Sequence, residues 1–293
     1  MSKQPLAEVF GHLVTDNSDR AVRYRSRRLC PFNNKVPTCT KDKADNPLGV
    51  CSIYHNRDVV ITCPIRFRQN WTIADDAAKF FFGEQASWCS FTEMRLNDAK
   101  GKAAGNIDVI LAAYDDQGNL LDFGALEIQA VYISGNIRNP FEYYIKDPIN
   151  HAYMDWSQEL NYPRPDYLSS SRKRLVPQLL FKGGILHTWK KKMAVALNKS
   201  FFATLPKLKK VPKTDASIAW LIYDLELILD KDRKTGSYLL MKTDEIYTEF
   251  ESALFSITTP SPGNEDEFMK LLQKKLEKRL EAPPPNNAMG RLY

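Results

Sequence analysis

Nothing in the chain approaches the ~18 consecutive apolar residues of a membrane-spanning helix, and Met1-Ser2-Lys3-Gln4-Pro5 leads into no apolar core of the secretion-signal kind. The expectation is a soluble, cytoplasmic protein with no membrane partner. Histidine is scarce: His12, His55, His151 and His187 are the only four. None has a partner at metal-ligating spacing, so a histidine-built metal centre is set aside. His187, beside Trp189, reads as a packing residue. No internal repeat is present, which removes solenoids and propellers. Acidic residues are missing from one long stretch: between Tyr167 and Thr214 there is no Asp or Glu.

That stretch holds Arg172, Lys173, Arg174, Lys182, Lys190, Lys191, Lys192, Lys199, Lys207, Lys209, Lys210 and Lys213. A second basic cluster, Arg20, Arg23, Arg25, Arg27 and Arg28, lies near the N-terminus. The net charge is only +6, so the segregation matters more than the sum. Either cluster alone could be a solvated helix face. Together they favour a polyanionic partner, because neutralising phosphates releases condensed counterions.

With 293 residues, 43% of them apolar, the chain can bury a full core. Four of its five cysteines, Cys30, Cys39, Cys51 and Cys63, crowd into a polar, turn-rich segment that also carries Pro31, Asn33, Asn34, Pro37, Asn46, Pro47 and Gly49. A cytosolic chain keeps few structural disulfides, and so small a lobe has little apolar material of its own. A tetrahedral thiolate metal site would supply the missing stability. Against it stands the absence of any Cys-x-x-Cys knuckle, which leaves unlinked cysteines as the alternative. Cys89, in Ser87-Trp88-Cys89-Ser90-Phe91, reads as a small buried hydrophobe.

Period and punctuation predict an α/β protein, α+β in the sense of a mixed sheet. Leu6, Val9, Phe10 and Leu13 stand near helical spacing, so residues 1–29 read as a helix followed by a basic connector. Residues 30–66 form the cysteine lobe. Residues 67–281 form the main domain, and 282–293, with Pro283-Pro284-Pro285, form a flexible tail. A helix is predicted from Asp75 to Phe82 behind Thr72, and strands over Ile107 to Tyr114, Leu120 to Ile133 and Ile218 to Leu229. A long helix is predicted over Val176 to Leu205, broken or bent at Gly183-Gly184. A last amphipathic helix covers Phe268 to Leu280.

The chemistry concentrates around Asp115-Asp116-Gln117-Gly118-Asn119, which is turn chemistry between two apolar strands. A turn centred on Gln117 and Gly118 places Asp108 opposite Glu127, with Cβ atoms roughly 5 Å apart. Gln129 falls on the same face, while Leu126, Ile128 and Ala130 face the other way into the core. Carboxylates inside apolar strands are costly unless paired or metal-bound. A cation between Asp108 and Glu127 would relieve their repulsion, and magnesium fits that demand.

An Asp on one hairpin strand and Glu-x-Gln on the next resembles the catalytic signature of the PD-(D/E)XK nucleases. Glutamine in the third place, usually lysine, with a four-cysteine lobe ahead of the hairpin, resembles the NotI-type type II restriction endonucleases. The motifs cover roughly residues 20 to 145. The resemblance implies a restriction-endonuclease-like core, with Asp108 and Glu127 holding Mg²⁺ and Gln129 orienting the attacking water. It implies a further acidic residue, Glu93 ahead of Glu84, and a structural iron or zinc on Cys30, Cys39, Cys51 and Cys63. It also implies a homodimer cutting both strands of double-stranded DNA at a GC-rich palindrome, and a cognate DNA methyltransferase acting on the same site. A neutral glutamine can orient water but cannot add charge. Arg138, Arg23, Arg25, Arg27 and Arg28 are candidates for reading guanine, and Lys190, Lys191, Lys192, Lys207, Lys209 and Lys210 for holding phosphates. The rival function is a DNA-binding protein without catalysis.

Overall fold

The computed structural model describes residues 3–42, 45–230, 235–259 and 262–281, so the expected tail 282–293 lies outside the described residues. Residues 1–257 form one compact unit and residues from 258 onward a second.

The chain opens with β1 (Leu6–Val9) and β2 (His12–Leu13), in place of the helix expected there. Leu6, Ala7, Glu8 and Val9 are all buried. A strand covered on both faces shows no alternation, and its apolar run can be mistaken for a helix stripe. Phe10 and Gly11 both take positive φ, 51° and 79°, which closes the two-residue hairpin between Val9 and His12. The first helix, α1 (Asp19–Ser26), is the segment read as a basic connector, capped by Ser18.

β3 (Val50–His55) and β4 (Asp58–Ile61) complete a four-stranded sheet in the order β2-β1-β3-β4. After 3-10 turns over Pro64–Trp71 comes α2 (Thr72–Phe81), close to its predicted place. β5 (Trp88–Asn97), β6 (Ala103–Tyr114) and β7 (Leu120–Gln129) form an antiparallel meander. The strand predicted to run on to Ile133 stops at Gln129. β8 (Tyr132–Ser134) pairs with β9 (Arg164–Asp166) in a separate small sheet, with α3 (Arg138–Lys146) between them.

The predicted helix 176–205 is corrected most. A helical run covers 167–188, built from α4 (Tyr167–Ser170), π-helical turns at Ser171–Leu175 and Gln178–Gly183, and α5 (Gly184–Thr188). No break occurs at Gly183-Gly184, where both residues keep helical dihedrals. A Cβ on Gly183 would stand 2.7 Å from the Phe250 ring, so close packing accounts for that glycine. The chain then forms β10 (Met193–Asn198), not helix, with all six residues buried. After α6 (Lys199–Phe202) come β11 (Ile218–Asp230), β12 (Thr235–Thr248) and α7 (Phe250–Thr258). In the second unit the described element is α8 (Glu265–Glu281).

The main sheet is mixed and six-stranded, in the order β12-β11-β10-β7-β6-β5. β10 runs parallel to both β7 and β11, and the other pairings are antiparallel. Alternation divides the two faces. Leu126, Ile128, Ala194 and Ala196 pack in the cluster that holds α2. Ala125, Val195 and Leu197 pack with Leu175, Leu179 and Leu186 of the helical run. Glu127 and Gln129 belong to the second of these faces, beneath the helical run.

Candidate active site

The strand register agrees with the sequence count, although the turn does not: Tyr114 faces Leu120, and an irregularity between Ala113 and Tyr114 restores the count. Ala113 faces Asp122 and Val109 faces Leu126, so the same register sets Asp108 against Glu127. The ladder between β6 and β7 ends at Val109–Leu126. One residue further the Asp108 carboxylate itself accepts the Ile128 backbone N–H at 2.8 Å. The half-buried Asp108 is thereby fixed at the point where the strands part. Its carboxyl lies near enough to Glu127 to raise that group.

Glu127 is 0% exposed. Burial in this dry setting, reinforced by the Asp108 charge, pushes its carboxyl up to about 8, against the opposing pull of a lysine. That lysine is Lys182, from the helical run. Its Nζ donates to both Glu127 oxygens at 2.7 Å and to the Asn106 carbonyl at 2.7 Å. Gln129 is also buried. Its Nε2 donates to Gln178 Oε1, while its own Oε1 has no hydrogen-bond partner. The centre therefore contains Asp108, Glu127 and Gln129 as expected, with Lys182 and Gln178 added. The signal that could have found Lys182 is its place on the stripe Leu175, Leu179, Lys182, Leu186, all of them buried. A lysine interrupting an apolar stripe needs a partner.

Glu93 reaches the same row. Thr92 faces Val109 and Met94 faces Ile107, so Glu93 falls beside Asp108, at an irregularity where its φ is 60°. Its carboxylate is exposed and pairs with Lys35 at 3.3 Å. Glu84 lies just after α2 and pairs loosely with Lys79 at 4.0 Å.

Backbone pairing relates the four lobe cysteines two by two. Cys30 N–H bonds the Pro37 carbonyl and Cys39 N–H the Arg28 carbonyl, around a bridge between Leu29 and Thr38. The β3–β4 ladder brings Cys51 to Thr62, next to Cys63. All four are free thiols. Burial, aided by the neighbouring Cys63 and Cys39, pushes Cys30 up to about 11, and burial also raises Cys39 and Cys51. Among the described residues, no three His, Cys, Asp or Glu side chains stand grouped closely enough to hold a metal ion. Cys89, expected to be buried, is exposed on the edge strand β5.

The basic candidates fall into two groups. Arg25 is buried, with Nη2 donating to the Leu13 and Asp16 carbonyls, and it holds α1 against the hairpin. Arg138 is held by Asp42, the Asn46 carbonyl and Glu142. Lys191 pairs with Asp122, and Lys192 donates to the Phe80 carbonyl at 3.1 Å. Arg23, Arg27, Arg28, Lys190, Lys207, Lys209 and Lys210 are exposed. Among the described residues, no helix is long and apolar enough to cross a membrane.

The chain matches the family model described as restriction endonuclease NotI over residues 8–240, a span that takes in every residue of the centre above. Its class is therefore that of the site-specific nucleases. Within that class, the chain belongs to the NotI restriction endonuclease family. No curated protein matches it.

Proposed function

We propose that the chain is a Mg²⁺-dependent type II restriction endonuclease of PD-(D/E)XK type, cutting both strands of a GC-rich DNA palindrome as a homodimer. The observation that carries the reading is the half-buried Asp108 beside the buried Glu127, with the unpartnered Gln129 Oε1 next to them. Two carboxylates are the hard oxygen donors that magnesium takes, with water and phosphate oxygens filling the rest of its shell, so the donor set fits the ion. Bound there, the ion supplies Lewis acidity and a more acidic water.

The remaining steps belong to the chain. Asp108 is held in place by the Ile128 N–H. Glu127 is buried and balanced between Asp108 and Lys182. Gln129 can accept from a water through Oε1 and so aim it. In the reaction a water oxygen bonds to phosphorus and the bond to one sugar oxygen breaks. That oxygen takes up a proton, leaving a phosphate monoester on the other strand end. Burying a carboxylate as deeply as Glu127 is costly, which favours a catalytic centre over an inert DNA-binding protein.

By the same reasoning, Cys30, Cys39, Cys51 and Cys63 are proposed as thiolate ligands of one structural iron or zinc. The thiols of Cys30, Cys39 and Cys51, which burial raises, would ionise with a cation among them. Arg23, Arg27, Arg28 and the exposed lysines are proposed to contact DNA, and a DNA methyltransferase would protect the same site.

The test of function is plasmid cleavage with Mg²⁺ and with EDTA. Wild type should give discrete fragments only with the metal. Asp108→Ala should abolish them while binding to the same DNA in Ca²⁺ survives, and Gln129→Ala should be severely impaired. Full cleavage by Asp108→Ala would remove the site assignment.

A further inference from the structure

The hairpin carries a neutral glutamine at the motif position where lysine would add charge, yet the centre is not without an ammonium. Lys182 reaches it from the opposite layer, with Nζ 2.7 Å from both oxygens of Glu127. One helical turn earlier, Gln178 accepts the amide of Gln129. Successive turns of one helix thus address the two polar residues of Glu-x-Gln. Both interactions come from the π-helical stretch Gln178–Gly183. A π-helical turn is rare and frequently marks a functional site.

Stability alone is a poor account of this lysine. Replacing a buried ion pair by apolar groups of similar size is often neutral or stabilising, and an apolar residue at 182 would complete the stripe of Leu175, Leu179 and Leu186. The Lys182 stem also runs past Gly105, where an added Cβ would come to 3.6 Å of its Cε. The packing on both sides thus accommodates an extended lysine ending at Glu127.

We propose that Lys182 is the active-site lysine of this nuclease, positioning Glu127 and supplying from the helix the positive charge that Gln129 cannot. The inference rests on the nuclease reading. It changes what the glutamine means: with Lys182 present, the charge missing from the strand is restored across the core, and Gln129 is left to aim water.

The experiment compares four full-length proteins: wild type, Lys182→Met, Lys182→Arg, and the exchange Gln129→Lys with Lys182→Gln. Single-turnover cleavage of plasmid with Mg²⁺ is measured beside binding to the same DNA in Ca²⁺. Lys182→Met should lose about 100-fold or more in rate, the scale of removing one preorganised charge from a reacting centre, with DNA affinity changed by less than about threefold. Lys182→Arg keeps the charge in a different shape and should retain part of the rate. The exchange should cut at least about tenfold faster than Lys182→Met, since residue 129 faces the same carboxylates.

Lys182→Met cutting within about threefold of wild type would overturn the proposal. So would an exchange protein that binds DNA normally in Ca²⁺ yet cuts no faster than Lys182→Met, and this second variant decides the matter if the first does not fold. A wild-type protein that cuts no DNA would sink the nuclease reading and the proposal with it. That outcome is recognisable before any substitution is made.

Discussion

Replacing Glu127 by Gln should flatten the pH dependence of stability in the metal-free protein. In the unfolded chain this carboxyl titrates near 4.5, and in the fold it is pushed up to about 8 by burial and by Asp108. Below 4.5 both states hold the proton and the group is neutral to stability. As pH rises, the unfolded chain releases the proton first, so the fold loses stability until the folded group also ionises near 8, beyond which the loss is constant. At ~1.4 kcal/mol per tenfold change in acidity, the full loss is about 5 kcal/mol. Glu127 is 0% exposed, so solvent screening takes little from that figure. The assay is urea unfolding in EDTA at half-unit steps from pH 5 to 9. The quantity compared is the slope of stability against pH, not its absolute level, because Glu127→Gln also replaces one of the two oxygens that accept from Lys182 by an amide donor and lowers the whole curve. Other shifted groups, such as Asp224, which burial raises, and His12, which burial lowers, act equally in both proteins and cancel. Wild type should fall more steeply than the variant by up to ~1.4 kcal/mol per pH unit between 5 and 8. Equal slopes would mean that Glu127 is charged throughout, and the argument from its burial would fail.

Elemental analysis should find about one iron or zinc per chain, lost together with stability in Cys39→Ser but unchanged in Cys89→Ser, since Cys89 lies exposed on β5. Metal loss in the Cys89 variant alone would show that Cys89 is a ligand and Cys39 is not. Neutralising Lys190, Lys207, Lys209 and Lys210 should weaken binding to cognate and scrambled duplexes alike. The log-log salt slope should become shallower by ~0.9 for each phosphate that is no longer neutralised. Lys191 and Lys192 should contribute less, being engaged by Asp122 and the Phe80 carbonyl. An unchanged slope would place the DNA elsewhere.

The catalytic hairpin was legible because its information is local. A short turn bounds the register, the irregularity at Ala113–Tyr114 absorbs the one step by which the turn is off-centre, and once Asp108 faces Glu127 the period of two carries Gln129 to the same side. Elements buried on both faces were not legible. β1 and β10 are apolar at nearly every position, and without alternation nothing in Leu6–Val9 or Met193–Asn198 separates a central strand from a helix. The error at β10 mattered most. Read as helix, residues 193–198 leave Glu127 without the parallel neighbour Val195 that puts it in the middle of the sheet, and its burial then looks shallower than it is.

Lys182 was hidden for a different reason. Seen only as one positive charge in a stretch without acids, it is given no role of its own, and charge counting has no means of separating it from its neighbours. Position on the helix separates it: Lys190 is exposed, whereas Lys182 is 5% exposed among Leu179, Gly183 and Leu186. Burying an ammonium costs several kcal/mol unless a carboxylate answers it, and the carboxylate within reach is Glu127, itself too buried to remain charged alone. Each of the two makes the other tolerable, and neither belongs in an apolar core without a task for both. The long-range pairing of residue 127 with residue 182 is the kind of fact that a sequence encodes only through its fold, and it turns a two-carboxylate motif into a charged centre.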